Sequence, residues 1–107
     1  MSRLKIIETE KETQARKRMA VTLRILRAVF GITQRQLAEA SGVSFSALAR
    51  FERGDLRLSD ETLSAILKNF NHRGVTYDHQ HDEITLTVGH GFLKTLYEAK
   101  SLSWPVS

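Results

Sequence analysis

The 107-residue chain contains no cysteine, which excludes both a disulfide framework and a thiolate metal site. It has no apolar run near the roughly 18–20 residues that a membrane-spanning helix needs. Its first residues, MSRLKIIETEKETQ, are too polar to read as a secretory signal. Internal repeats and low-complexity stretches are missing. So are Ser-His-Asp, paired-carboxylate and glycine-rich phosphate-binding patterns, which argues against an enzyme. What remains, 41% hydrophobic and 26% charged residues, is the composition of one globular domain. The plain expectation is a cytoplasmic protein with no cofactor and no membrane partner.

The charge is not balanced. Sixteen Lys and Arg stand against twelve Asp and Glu, for a net charge of +4. Half of the cations fall in the first thirty residues: Arg3, Lys5, Lys11, Arg16, Lys17, Arg18, Arg24 and Arg27. Such a bias suits an acidic partner, nucleic acid above all. Charge alone does not separate that from a solvated basic helix face.

Along the chain, residues 2–8 suit a short strand or an arm. Thr9 with Glu12 is a capping box that opens a long helix from about Glu10 to Phe30. Ala15, Met19, Leu23, Leu26 and Phe30 lie on one face of it at steps of three and four. Gly31 ends it. Thr33 with Gln36 repeats the box for a second helix, ending near Ser41-Gly42. Ser44 caps a third, which runs to Arg53 and is stopped by Gly54. Ser59 caps a fourth, with Asp60 and Glu61 well placed against the helix dipole. Leu58 and Leu63 suit a hydrophobic staple, and the helix ends by Gly74. The period then changes to two. Val75 and Tyr77, then Ile84, Leu86 and Val88, alternate with polar residues and predict a β-hairpin with a longish turn over DHQHDE. FLKTLYEAKS suits a last short helix, and LSWPVS is a tail.

The stretch TQRQLAEASGVSFSALARFERG, Thr33 to Gly54, places two short helices back to back. Neither would hold in water alone. Ala38 is small enough for a crossing helix, and Gly42 falls where the chain must turn. Val43, Leu48 and Phe51 supply an inner face to the second helix. That is the spacing of a helix-turn-helix, which leaves the outer face of its second helix free for the major groove of DNA. From Arg18 to Gly74 the chain resembles the phage repressor and Cro type of helix-turn-helix, also called the xenobiotic-response-element family. The matching residues are GITQRQLAEASGVSFSALARFERG, with the Thr-Gln start, Leu-Ala, Gly-Val and the Glu-x-Gly end in order.

The resemblance implies a repressor-like domain of four to five helices; with the C-terminal β-hairpin and short terminal helix read from the periodicity, which lie outside the family core, the expected fold is mainly α. The resemblance also implies site residues. The first residues of the second helix, Thr33, Gln34 and Arg35, would lie at the DNA, with Gln34 bonding a phosphate. Ser44 would cap the reading helix beside the backbone. Phe45, Ser46 and Arg50, with Ala49 beside them, hold the base-reading positions. Arg50 suits a guanine, and Phe45 a thymine methyl. Phe45 departs from the polar residue often found there. Arg53 and Arg57 would clamp phosphates. Glu52 and Arg27 match a structural ion pair between the first and third helices. Asp78, His79, His81 and Asp82 sit together in the expected turn, where solvated side chains are the better reading than a metal site.

Three functions remain open on these residues. The first is a dimeric repressor or autorepressor reading a palindrome. The second is an antitoxin that holds a toxin protein through its C-terminal region and represses its own operon. The third is an RNA-binding module. The segments follow: an arm over 1–9, a DNA-binding domain over 10–74, and a hairpin and tail over 75–107. That last segment, with ITLTV, Leu102 and Trp104, is the expected homodimer surface.

Overall fold

The computed structural model describes residues 8–80 and 83–97. Helices α1 (Glu10–Phe30), α2 (Gln34–Ser41), α3 (Phe45–Glu52) and α4 (Asp60–Asn71) are followed by strands β1 (Val75–Gln80) and β2 (Glu83–Val88) and by helix α5 (His90–Tyr97). The fold is therefore mainly helical, with an antiparallel two-stranded hairpin before a short last helix.

Local chemistry starts and stops the helices. The Thr9 hydroxyl accepts from the Glu12 N–H at 3.1 Å, while the Glu12 carboxylate accepts from the Thr9 N–H at 3.2 Å. Thr33 and Gln36 repeat the arrangement at 3.0 and 2.8 Å. Each box satisfies donors that a helix start leaves open. At the other ends, Gly31 (φ 64°) and Gly42 (φ 69°) adopt the left-handed conformation, which only glycine takes cheaply. The next amides then bond back into the helix, Ile32 N–H to the Arg27 carbonyl and Val43 N–H to that of Ala38.

One apolar cluster joins all the helices. Leu23 and Leu26 of α1, Leu37 of α2, Leu48 and Phe51 of α3, and Ile66 and Phe70 of α4 are fully buried. The hairpin and α5 join the same cluster: Val75 is fully buried and Phe92 nearly so. Phe30 stands between Phe70 and Phe92, with ring centroids 5.5 and 4.6 Å away. Leu86 and Val88 pack on this cluster from β2. At the hairpin base the Gly89 N–H donates to the Gly74 carbonyl at 2.6 Å. A Cβ on Gly89 would lie 3.0 Å from that oxygen, so the close approach favours glycine there.

Three details depart from the sequence reading. Ala15 is exposed, at a groove beside Met19, Leu58 and Leu63, and Thr22 is buried in α1 instead. Thr22 tolerates this because its hydroxyl donates to the Arg18 carbonyl at 2.8 Å. The turn is also shorter than expected. Asp78, His79 and Gln80 pair with Thr85, Ile84 and Glu83, so the strands run to within two residues of each other. Strand alternation explains it: Thr76, Asp78 and Gln80 point out, while Tyr77 and His79 turn inward. Finally, His79 is half-buried rather than solvated on a turn. Its Nε2 lies 2.8 Å from the Thr22 hydroxyl, which accepts the bond because its own proton is given to Arg18. Burial and the charge of Arg18 hold the imidazole below its ordinary value, against the opposing pull of Asp78. Arg3, Lys5, His81, Asp82, Leu102, Trp104 and the side chains of Leu96 and Tyr97 lie outside the described residues.

Candidate nucleic-acid interface

Helix α3 has two unlike faces. Ser44 caps it, its hydroxyl accepting from the Ala47 N–H at 3.0 Å. Leu48, Phe51 and Glu52 point inward and are buried. Phe45, Ser46 and Arg50 point outward and are exposed, with Ala49 half-buried between them. The Arg50 carbonyl accepts from the Asp55 N–H at 2.9 Å, but its guanidinium has no ion-pair partner among the described residues. An exposed Arg fork and an exposed phenyl on one helix give its outer side both hydrogen-bonding and apolar reach, the two kinds of contact that base edges in a major groove offer.

A buried carboxylate locks the inner face. The Glu52 side chain is 1% exposed and accepts from Arg27 Nη2 at 2.6 Å and from Arg27 Nε at 2.8 Å. Such a two-pronged pair is the strongest geometry open to arginine. Glu52 also accepts from Gln34 Nε2 at 3.1 Å, and Arg27 Nη1 donates to the Ile32 carbonyl at 3.1 Å. One carboxylate therefore holds α1, the start of α2 and the end of α3 together. Gln34, expected at a phosphate, has its side-chain amide turned to Glu52. Thr33 beside it is engaged in its capping box but stays exposed.

The remaining cations are held more loosely. Arg53 Nε lies 3.2 Å from Asp55, and Arg57 Nη1 lies 3.9 Å from Glu12, with every partner about half exposed or more. Exposed pairs of this kind contribute about 0–1 kcal/mol. Arg35, the second residue of α2, lays its guanidinium 4.3 Å from the centre of the Phe45 ring. Sequence spacing gives no hint of that stack, because the two residues sit on different helices.

Two further cations lie close by. Lys17 and Arg24 of α1 line a groove of about 250 Å³ with Glu52, Arg53 and Gly54. Their charge was visible in the basic amino-terminal third, but their place beside Arg53 depends on how α1 crosses α3. Arg16 is a scaffold residue. It pairs with Glu8 at 3.0 Å and donates to the Gly54 carbonyl, fixing the loop after α3 to α1. The same bond, with help from Thr13, holds the Glu8 carboxyl below the usual carboxylate range.

Among the described residues no group of three or more His, Asp and Glu is placed to hold a metal ion, and no helix is long and apolar enough to cross a membrane. No curated protein and no solved structure matches the chain. A family model does, the helix-turn-helix of Cro/C1 type, over residues 23–76. The match runs from Leu23 of α1 through α4 to the start of β1 and spans half of the chain. It contains both helices of the turn motif and the Arg27–Glu52 pair. The first thirteen residues of α1, most of the hairpin and α5 fall outside it. The chain thus belongs to the helix-turn-helix family of Cro/C1 type, a family of DNA-binding transcriptional regulators.

Proposed function

We propose that the chain is a repressor or autorepressor that binds a palindromic operator as a homodimer and reads each half-site through α3. The observation that carries this reading is the division of α3: an inner face locked by Glu52, Arg27 and Gln34, and an outer face exposing Phe45, Ser46 and Arg50. In this reading Arg50 pairs with a guanine. Thr33, Arg35 and Ser44 lie at the sugar-phosphate backbone, and Arg53 and Arg57 exchange their surface carboxylates for phosphates. Gln34 gives one amide N–H to Glu52 and keeps the second for a phosphate. Lys17 and Arg24 add to the same positive surface beside Arg53.

Pairing is assigned mainly to residues 75–107. Both outer edges of the hairpin lack a strand partner among the described residues, and Leu93 on α5 is 39% exposed. Part of that segment's apolar material serves its own core, since Val75 and Phe92 belong to it. The pairing surface is what is left over.

Selection of bound duplexes from a random pool tests the reading. Two inverted half-sites about 34–36 Å apart, centre to centre, are expected. A single asymmetric site, or preference for RNA over duplex DNA, would remove it.

A further inference from the structure

The two helices of the turn motif meet at a contact between side chains ten residues apart. Arg35 is the second residue of α2 and Phe45 the first of α3. The Arg35 guanidinium lies 4.3 Å from the centre of the Phe45 ring. Both side chains are exposed, Phe45 at 40%. A large apolar ring left this open at the start of a reading helix is not needed by the core, which Leu48 and Phe51 already serve from the other face of α3.

The stack restricts both partners. One face of the phenyl ring is occupied, which leaves its edge and its other face to meet DNA. A phenyl group cannot hydrogen-bond to a base edge. The apolar feature that a base edge offers in the major groove is the methyl group on C5 of thymine. The stack also holds the guanidinium in a plane, so less side-chain freedom is lost when the ring docks. Lysine would fix the ring less well, because its ammonium can approach a ring but is compact, strongly hydrated and has no plane to stack on it.

We propose that Arg35 and Phe45 act as one specificity unit: Phe45 selects a pyrimidine carrying a C5 methyl, and Arg35 is the positioning residue that fixes the ring for it. The proposal rests on α3 being the DNA-reading element. It adds that a residue of α2 sets the specificity of a residue of α3.

The experiment uses the full chain and duplexes it selects from a random pool. Each thymine of the half-site is replaced singly by deoxyuridine, which removes one methyl group and nothing else. Wild-type protein is expected to lose about three- to five-fold in affinity at one thymine, the size of one buried methyl. Phe45→Ala should erase that loss. Arg35→Lys is the decisive variant. It keeps the positive charge and therefore the salt dependence of binding, but its methyl ratio should fall towards one. Thermal melts confirm that both variants fold, as their exposure leads one to expect.

Insensitivity to every methyl, a half-site without thymine, or an Arg35→Lys variant with the wild-type methyl ratio each overturns the unit while leaving DNA binding in place. A chain that binds no duplex at low salt overturns the DNA reading itself, and the unit with it.

Discussion

The Glu52 network makes the sharpest claim about stability. Glu52 is 1% exposed in its side chain and Arg27 19%, and three hydrogen bonds converge on the carboxylate. Glu52→Gln keeps the size but removes the charge and turns one acceptor into a donor. Either orientation of the new amide then points N–H groups at an Arg27 or Gln34 donor. Arg27→Met does the reverse, leaving a buried carboxylate with only the Gln34 amide. Breaking one side of a buried pair typically costs about 3–5 kcal/mol. Arg27 keeps some exposure, which points to the lower end, about 3 kcal/mol for each single variant.

The double variant, Arg27→Met with Glu52→Leu, leaves no orphaned charge. Replacing both partners of a buried pair by apolar groups is often close to neutral. Its loss should therefore fall well below the sum of Arg27→Met and Glu52→Leu measured singly. Urea denaturation reads the cycle: the midpoint should move while the slope stays constant. For a domain of this size each kcal/mol corresponds to about 4–8 °C in melting temperature, so the single variants are easily resolved. Losses that add within about 0.5 kcal/mol would mean that the two side chains are not energetically coupled, and would refute the reasoning.

Three further outcomes follow from the same geometry. Arg50→Ala should lose about 1–3 kcal/mol of discrimination at one base pair while keeping most non-specific binding, as competition between operator variants would show; equal weakening on all sequences would make Arg50 a phosphate contact. Leu93→Glu should convert a dimer into a monomer in sedimentation without unfolding it; a persistent dimer that Ile25→Glu breaks instead would place the interface on α1, where Ile25 is 37% exposed. His79 has its folded-state value held below the usual 6.5, so the unfolded chain takes up its proton first and stability should fall as pH drops below about 6.5. The urea midpoint between pH 7.5 and 5.5 should show that slope in wild type and lose it in His79→Gln.

The parts of the molecule legible in the sequence are those governed by short-range rules. Thr9 with Glu12, Thr33 with Gln36, Ser44 and Ser59 mark helix starts because a cap needs its partner two or three residues on. Gly31 and Gly42 mark ends because the left-handed turn excludes most other residues. The alternation from Ile84 to Val88 marks a strand for the same local reason. What stayed hidden joins residues that no period links. Gln34 finds Glu52, Arg35 finds Phe45, Thr22 finds His79 and Arg16 finds Gly54 only after the helices have crossed. The segment from Asp78 to Gln80 reads as part of a turn because its residues are polar. Its strand pairing shows only when His79 is seen to face Thr22, giving the inner side of β1 a polar anchor.

The contrast between the buried and the exposed ion pairs has a consequence for binding. Glu52 with Arg27 is dry on one side and bidentate, and a phosphate has no means of displacing that carboxylate. Arg53 with Asp55 is 64% and 58% exposed, joined by one bond at 3.2 Å, and is held by about 1 kcal/mol at most. A DNA phosphate accepts two parallel bonds from the same guanidinium and releases a condensed counterion when it does. The exchange therefore favours phosphate, and Asp55 opposes it, both as competitor and as a negative charge near the backbone. Asp55→Asn should then bind operator more tightly, by up to about five-fold, the factor equivalent to one exposed pair. The gain should appear on unrelated duplexes too, since a phosphate contact carries no sequence. Titration at low salt with selected and scrambled duplexes measures both. A gain confined to the selected sequence would move Arg53 to a base edge, and no gain on either would mean that Arg53 does not reach the DNA.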